Sequence, residues 1–444
     1  MHISIVALIL LVVPGGQDDQ IQILQKLVHE LREEVSELKN QDNNMWIMQQ
    51  RADENRKLVQ DVLLATDTRA SLVGDGINAG YDDGVFVMSA DGNWKVKING
   101  QLQVRWLYND ADAQLSQYGF EQRRSKIKFS GHIFDPTWTF KITPTWTRNG
   151  GSNTEDAWIA KSYKTGNWLK FGQFNSKFLR ENSVSSSAQL AIERSMVNNA
   201  FTYSWTQGLE LGWKNDETRF YLQYTDGPNR SNTASLGAST DAWVVRGELL
   251  FGAAGWKDFD SLTSTNGANS GVLVGMAYEN YDSNGGTFEY GNANADKSNG
   301  WTIDASLRGD GWNILAYAVS TSGENKTSAV EQDSSGWLIQ GGFLVSDNTE
   351  LFAQYQQGDI NNAVFALGSN DMSAFRVGFN YWPTEGNNNL KWTTDVAWSQ
   401  ESLADGAGTG ISSADWATTG NGWRQDAVNE DGQMLLRTQL QLLF

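Results

Sequence analysis

The feature that most constrains this chain is a regular alternation of apolar and polar side chains, which begins at Trp94 and continues to Phe444. In residues 95–108, for example, apolar side chains fall on one face and polar side chains on the other, and residues 122–133 repeat the pattern with Gln122 and Arg124 on the polar face. This period of two predicts β-strands in a sheet that has one apolar and one wet face. Sixteen such segments lie near residues 95, 121, 138, 156, 168, 207, 218, 241, 271, 301, 312, 336, 349, 372, 390 and 434.

The connections between these segments alternate in length, from short turns such as 215–217 to long polar stretches such as 175–205. One connection, 252–270, should be short and is not. An even number of strands with short turns at one end and long loops at the other is typical of a transmembrane β-barrel. Tryptophan and tyrosine residues cluster near the strand ends, where interfacial aromatic belts lie. We therefore predict an all-β, transmembrane antiparallel β-barrel of about 16 strands, wide enough for a water-filled lumen.

A soluble β-sandwich, propeller or lectin is the alternative, because alternating strands and turns occur in those folds too. The chain shows no repeat of about 40 residues such as a propeller needs, and its wet faces leave a sandwich without a second sheet to cover. The last strand ends at Phe444, and this ending resembles the assembly signal of outer-membrane barrels. These observations favour the barrel.

The first 93 residues follow other patterns. An apolar run over residues 3–13 predicts a signal peptide over 1–16. Heptad spacing then predicts an α-helical coiled coil over 17–64, which we expect in the periplasm, and a polar linker follows over 65–93 before the barrel at 94–444. The seam residues are Ile21, Leu24, Val28, Leu31, Val35 and Leu38. Valine at a with leucine at d favours a two-stranded coil.

Composition excludes several classes of function. The chain has no cysteine, which excludes disulfides, thiol chemistry and cysteine-bound zinc. Its net charge of −18 argues against nucleic-acid binding. The histidines are scattered at His2, His29 and His132, so neither a histidine-bound metal nor a Ser-His arrangement is easy to build. We expect no enzymatic activity, no metal and no cofactor.

Several short motifs in one order resemble the phosphate-selective porin O/P family. They are Gly100 to Gln103, residues 120–131, 138–142, 156–159 and 168–174, Lys177-Phe178, Glu193 to Met196, and Asn199 to Phe201. The resemblance is strongest over 98–213 and does not extend to the coiled coil. It implies a sixteen-stranded trimeric porin of the bacterial outer membrane, whose third extracellular loop, here 175–205, folds inward to make the constriction.

In that family, arginines and lysines along one wall guide anions to the constriction. The resemblance assigns this role here to Arg123 and Arg124 in the paired-arginine motif, to Lys177 where the loop begins, and to Arg194 in its Glu-Arg motif. Asp156 matches the family's acidic position at the start of the fourth strand.

The distribution of charge partly agrees with this role. Residues 94–180 hold 14 basic and 6 acidic side chains, a net charge of +8, whereas residues 181–444 hold 13 and 31, a net charge of −18. The alternation predicts a basic wall in the lumen, made of Lys95, Lys97, Arg105, Arg124, Lys126, Lys128, Lys141 and Lys170. Alternatively, these cations only hydrate the lumen or pair with acids of other strands, namely Glu210, Glu248, Glu279, Asp304 and Asp395.

We therefore predict an outer-membrane porin for passive diffusion of small hydrophilic solutes. A preference for anions such as phosphate stays open, because acidic loops could repel anions at the mouth. The expected partners are outer-membrane lipid, small solutes or anions, and two further copies in a homotrimer, although the heptad pattern alone favours a dimer. The alternative function is an envelope anchor, in which barrel and coiled coil tether the outer membrane.

Overall fold

The computed structural model describes residues 25–26, 28–29 and most of 76–444. The gaps after residue 76 are 113, 149, 229–230, 233–239, 284–287, 291, 296, 326–329, 362–368, 385–386, 404–419 and 425–430. The chain divides into two compact units, 1–76 and 77–444. Residues 25–26 and 28–29 are helical; the predicted signal peptide and the rest of the predicted coiled coil lie outside the described residues.

Sixteen strands form one closed barrel within the described part of the second unit, as the alternation predicts. Each strand pairs antiparallel with its neighbours in the chain, and the last strand, Met434–Leu443, pairs with the first, Lys95–Asp110, to close the cylinder. The strands are β3 (Lys95–Asp110), β4 (Gln117–His132), β5 (Trp138–Trp146), β6 (Ser152–Ser162), β7 (Asn167–Asn175), β8 (Trp205–Lys214), β9 (Thr218–Thr225), β10 (Thr240–Gly252), β11 (Gly271–Ser283), β14 (Lys297–Gly309), β15 (Trp312–Asn325), β16 (Val330–Ser346), β17 (Thr349–Asn361), β18 (Ser369–Tyr381), β19 (Leu390–Ser399) and β20 (Met434–Leu443).

Two hairpins add to this barrel. Strands β1 (Ile77–Tyr81) and β2 (Val85–Ser89) lie within the predicted linker and pair with each other. Strand β2 also pairs with residues 95–98 of β3, which precede the part of β3 that pairs with β20. Strands β12 (Phe288–Tyr290) and β13 (Asn292–Ala295) form a separate two-stranded sheet in the connection after β11.

The two faces of the barrel wall differ as a membrane protein requires. Outward side chains are apolar and exposed, as for Phe171 at 70% and Ile303 at 48% of their area, whereas inward neighbours such as Thr302 and Asp304 are buried. Exposed aromatic residues include Trp94, Trp138, Trp243, Trp301, Trp312, Trp337 and Trp398. An apolar outer band with flanking aromatic belts is what lipid contact selects.

One strand departs from the predicted alternation. We predicted that Gln122 shares the wet face with Arg124, and this was wrong. In the pairing of β3 with β4, Gln103 lies opposite Arg124 and Val104 lies opposite Gln122, so Arg123 is an extra residue in a β-bulge. The bulge reverses the faces above it, which leaves Gln122 exposed beside the outward Val104.

Two connections fold into the lumen. The inward loop, residues 176–204, connects β7 with β8 at the end of the barrel that carries the long connections, which we call the loop end. It contains the short helices α1 (Arg180–Ser183) and α2 (Met196–Phe201). The inward turn, residues 253–270, connects β10 with β11 at the opposite end, which carries the short connections and which we call the turn end. It contains a 3₁₀ helix, Trp256–Asp260. The long connection that we found irregular in the sequence is this inward turn.

None of the helices in the described residues is long and apolar enough to cross a membrane.

Candidate functional site

The inward loop fills one side of the lumen and leaves the other side to water. Its apolar residues, among them Phe178, Leu190, Val197 and Phe201, belong to one buried cluster with the lumen side of strands β10 to β18. Inward residues of those strands are almost fully buried, as for Val244 and Leu338. Inward residues of the opposite side, such as Lys128 and Lys141 on β4 and β5, keep partial exposure. The accessible passage therefore runs along the N-terminal strands.

Polar contacts fix the loop against the apolar side. The carboxylate of Glu181 in α1 accepts hydrogen bonds from Ser195 N at 2.8 Å, from Ser195 Oγ at 2.5 Å and from Tyr317 Oη on β15 at 2.8 Å. Gln356 on β17 accepts one from Met196 N at 2.7 Å. Ser195 also caps α2 by accepting a hydrogen bond from Asn198 N. Backbone groups that would otherwise be unpaired are thus satisfied inside the lumen.

Glu193 connects the loop with the basic side of the lumen. Its carboxylate accepts hydrogen bonds from Arg105 at 2.8 Å, from Arg123 at 2.5 and 3.0 Å, and from Arg124 at 2.6 and 3.2 Å. Adjacent side chains of a regular strand point to opposite faces, so the bulge at Arg123 is what lets both arginines of the pair reach one carboxylate. Burial alone would raise the pKa of Glu193, but the three guanidinium groups outweigh it and hold this pKa well below its usual value.

Arg194, the next residue, turns back into the loop. Its guanidinium donates to the carbonyl oxygens of Glu181 at 3.2 Å, Asn182 at 3.4 Å and Val184 at 2.6 Å. It pairs with no carboxylate of the described residues. Arg194 thus ties the two helical parts of the loop together and keeps a full positive charge at the passage.

A polar cavity of about 450 Å³ lies between the loop and strands β4 to β6. Its lining consists of Arg123, Arg124, Lys126, Thr145, Trp146, Thr147, Arg148, Asn153, Thr154, Glu155, Ser186, Arg194, Trp205, Ser231, Asn232 and Gly420. Five of these side chains are cationic, and three carboxylates contact them: Glu193, Glu155 through Lys126 at 2.6 Å, and Glu121 through Arg148 at 3.0 Å. Five cations and three carboxylates leave a net charge of +2 on these groups, and +3 when Arg105, which shares Glu121 and Glu193 with them, is included.

Towards the turn end, the predicted basic wall continues as a series of ion pairs. Lys141 pairs with Asp156 at 2.9 Å, and Lys170 pairs with Glu210 at 2.6 Å. At the mouth, Lys95 and Lys97 pair with carboxylates of the β1–β2 turn, Asp82 at 3.4 Å and Asp83 at 3.8 Å. Acidic partners thus accompany the wall from the loop end to the turn end.

Besides Arg194, two of the predicted cations lack a carboxylate partner within the described residues. One is Lys128 on β4, whose neighbour Lys141 is itself a cation. The other is Lys177 at the start of the inward loop, whose ammonium lies 5.5 Å from the ring centre of Tyr221. The eleven predicted side chains therefore lie on one side of the lumen, but most of them are neutralised in pairs.

Pairing with acids of other strands is the alternative interpretation of the basic wall, and pairing does occur, but mostly with other acids. Among the ion pairs of the described residues, Glu210 pairs with a wall residue as considered, whereas Glu248 and Asp304 pair with Arg246, and Asp395 pairs with Arg437. The partners that sequence reasoning missed are Glu121, Glu155 and Glu193 around the cavity, and Asp82, Asp83 and Asp156 towards the turn end. Glu121 and Glu193 lie inside recognised motifs and Glu155 precedes one, but spacing along the chain does not show which strand a loop carboxylate meets.

We predict that Glu193→Gln releases the loop. Three guanidinium groups would lose their shared carboxylate, and breaking a buried ion cluster typically costs about 3 kcal/mol. Limited proteolysis should cleave residues 176–204 of the purified variant faster than in the wild type. Glu121→Gln is the matched control, because it removes the other carboxylate partner of Arg105 without touching the loop; equal protection of Glu193→Gln and wild type would contradict the anchor.

The same cluster predicts a pH dependence. A carboxyl group with a lowered folded pKa stabilises the fold above its unfolded pKa of about 4.3, and loses this contribution only as pH falls through the lowered value. The loop of the wild type should therefore stay protected from an acid-active protease at pH 4.5, and become cleavable only in more acidic solution. Loss of protection already between pH 7 and 5 would show that another group controls the loop.

Comparison with known proteins agrees with this architecture. A sequence model of the family described as phosphate-selective porin O and P matches residues 95–411. No curated protein matches the chain. Among solved structures, OmpF of Salmonella typhi in complex with daunomycin aligns with a TM-score of 0.52 at 14% identity, over 82% of this chain and 100% of that one. A loop-deletion mutant of OmpT from Vibrio cholerae aligns at 0.52 and 11%, over 79% and 100%. An anion-selective porin from Comamonas acidovorans aligns at 0.51 and 12%, over 79% and 99%.

Similarity at these identities establishes the barrel fold, and the family match covers most of the chain. The family match favours a channel over an enzyme and over an envelope anchor. The chain belongs to the phosphate-selective porin O and P family and is a porin of the outer membrane.

Proposed function

We propose that this porin conducts small anions in preference to cations, along the passage between the inward loop and strands β3 to β7. The observation that carries the proposal is the polar cavity, where five cations outnumber three carboxylates at the place where the lumen stays accessible. A lumen lined by one sign of charge between low-dielectric walls raises the local concentration of the opposite ion.

The pairing of the wall supports weak rather than tight anion binding. Phosphate is held best by arginine forks that are free to donate two parallel hydrogen bonds. Here the forks of Arg123 and Arg124 already donate to Glu193, so a permeating anion meets their outer edges and the flexible ammonium groups of the lysines. Conduction requires sites that attract an ion and still let it leave. We therefore propose a general preference that includes phosphate, without a dedicated phosphate site.

Beyond the cavity, the same design continues to the turn end. An anion that leaves the cavity reaches Lys128, then the pairs of Lys141 with Asp156 and of Lys170 with Glu210. Each pair presents a cation to the anion and a carboxylate that limits its residence. The sites Lys95, Lys97, Arg105, Arg123, Arg124, Lys126, Lys128, Lys141, Lys170, Lys177 and Arg194 thus remain our proposed anion-guiding residues.

Reversal potentials in asymmetric salt test the preference. Wild-type channels in a planar bilayer should show an anion-selective potential. Lys128→Gln should shift it towards cations because an unpaired positive charge is lost, and Glu155→Gln should shift it towards anions. Lys164→Gln, at an exposed turn outside the passage, is the control and should leave it unchanged. A cation-selective wild type, or equal potentials for all four proteins, would overturn the proposal.

The protonation state of Lys177 should make the anion preference depend on pH. Burial lowers the pKa of Lys177 to about 8, although Glu210 opposes this shift. The ammonium is therefore charged below pH 8 and loses its charge above it, so the anion preference should fall between pH 7 and 9. Lys177→Arg should remove this step, because a guanidinium stays protonated throughout the range. An unchanged step in Lys177→Arg would assign it to another group.

We further propose a homotrimer whose subunits contact one another through the side of the barrel that has the shortest strands, β5 to β9. Strands β5 to β9 have only 8 to 11 residues, whereas β10, β11 and β14 to β18 have 13 to 17. A membrane strand needs about 9–11 residues, so the shortest strands barely span the lipid. Their outer face exposes apolar side chains such as Phe171 and Ile159. Contact with neighbouring subunits would cover this face.

The N-terminal segments complete the proposal: export directed by residues 1–16 and a periplasmic coiled coil over 17–64. Deleting residues 21–64 separates the possible roles. Chemical crosslinking in detergent should give trimers with and without these residues if the barrel sets the assembly, whereas dimers that need them would favour the heptad seam. If solute uptake persists while envelope attachment is lost, the coiled coil acts as a tether.

A further inference from the structure

The inward turn is much longer than other connections at the turn end of the barrel. Residues 163–166, 215–217 and 310–311 each join two barrel strands in a few residues. The inward turn instead takes residues 253–270 into the lumen, where Phe259, Leu262 and Ser264 are buried. A segment that carries buried apolar side chains is a packed element and not a disordered insertion.

The inward turn contacts the inward loop directly. Leu262 N donates a hydrogen bond to the carbonyl oxygen of Ala188 at 3.0 Å, and the side chain of Leu262 belongs to the apolar cluster that holds the loop. The guanidinium of Arg180 in α1 donates to the carbonyl oxygen of Phe259. Two separate parts of the loop thus rest on the turn.

A shared carboxylate on β17 links the two segments further. Glu350 accepts a hydrogen bond from Thr263 Oγ1 of the inward turn at 2.9 Å and from Asn380 Nδ2 at 2.9 Å. The same Asn380 amide donates to the carbonyl oxygen of Leu190 in the inward loop at 3.0 Å. From β14, Arg308 donates to Thr263 O and to Ser264 Oγ, both at 3.2 Å, which holds the turn against the wall.

We propose that the inward turn is a second constriction element, which supports the inward loop from the turn end and thereby sets the width of the passage. The loop is fixed to the basic side by Glu193 and to the apolar side by its cluster, and the inward turn supplies a third contact from the turn end, at Ala188 and Arg180. Without this contact, the lower part of the loop would lose its support and the turn-end half of the lumen would widen.

The inference rests on the channel function but not on its charge preference. Pore width governs single-channel conductance and the size limit for neutral solutes, whereas the reversal potential reports the sign of the wall. A change in conductance with an unchanged reversal potential therefore concerns the inward turn alone.

The first test replaces residues 254–269 with a two-residue Asn-Gly turn in the full chain. Conductance of the folded variant should rise by about twofold, with entry of larger neutral sugars, because the wider lumen offers a larger aqueous cross-section. Asn266→Ala is the control, because Asn266 bonds to Asp347 at the exposed tip and not to the loop. Unchanged conductance and size limit in the folded variant would overturn the proposal.

A second test keeps the full-length turn and covers the case in which the shortened chain does not fold. The chain has no native cysteine, so Ala188→Cys with Leu262→Cys introduces one pair whose backbones already hydrogen bond, a spacing a disulfide can span. Under reducing conditions, the loss of the leucine should raise conductance and current noise; oxidation should restore wild-type values. Failure of the pair to oxidise, or identical currents in both states, would count against the contact.

Discussion

The structure of the lumen depends on the ion cluster of Glu193 with Arg105, Arg123 and Arg124. A long loop inside a barrel gains apolar contacts only if it reaches the wall, and here it reaches the apolar side through its cluster. Glu193 adds the opposite constraint, because it ties the same loop to the charged side. The loop is therefore held between two unlike walls, and the accessible cavity lies on the charged side, beside Glu193.

This division of the lumen explains the uneven charge of the chain. Strands β3 to β7 come from the stretch of residues 94–180 with net charge +8, and they line the accessible side. Strands β10 to β18 face the loop, so their inward positions hold uncharged side chains, ion-paired groups such as Arg246 with Glu248 and Asp304, or charges that hydrogen bond to neutral groups, as Glu350 and Arg376 do. Isolated charges at those positions would be costly, since the loop excludes water from them.

The strands could be predicted because a sheet with one apolar and one polar face requires apolar and polar side chains to alternate along each strand. All sixteen predicted segments fall on barrel strands, and the excess length of 252–270 is visible as well. What the pattern could not show depends on contacts between distant residues. The bulge at Arg123 leaves no mark in a run of polar residues, so Gln122 was placed on the wrong face. The partners Glu121, Glu155 and Glu193 need the register of β3 with β4 and the path of the loop, and neither follows from local spacing.

A wall of paired charges has a consequence for selectivity. The described groups of the cavity carry a net charge of only +2, although eight ionised side chains contribute to it. The charge of each side chain is thus half as large as this net charge. The distance between the partners of each ion pair is also short compared with a screening length of about 8 Å in physiological salt. A permeating ion therefore responds to the local order of cations and carboxylates more than to their sum. A porin of this kind can change its preference by exchanging one side chain, while the ion pairs that hold its constriction stay in place.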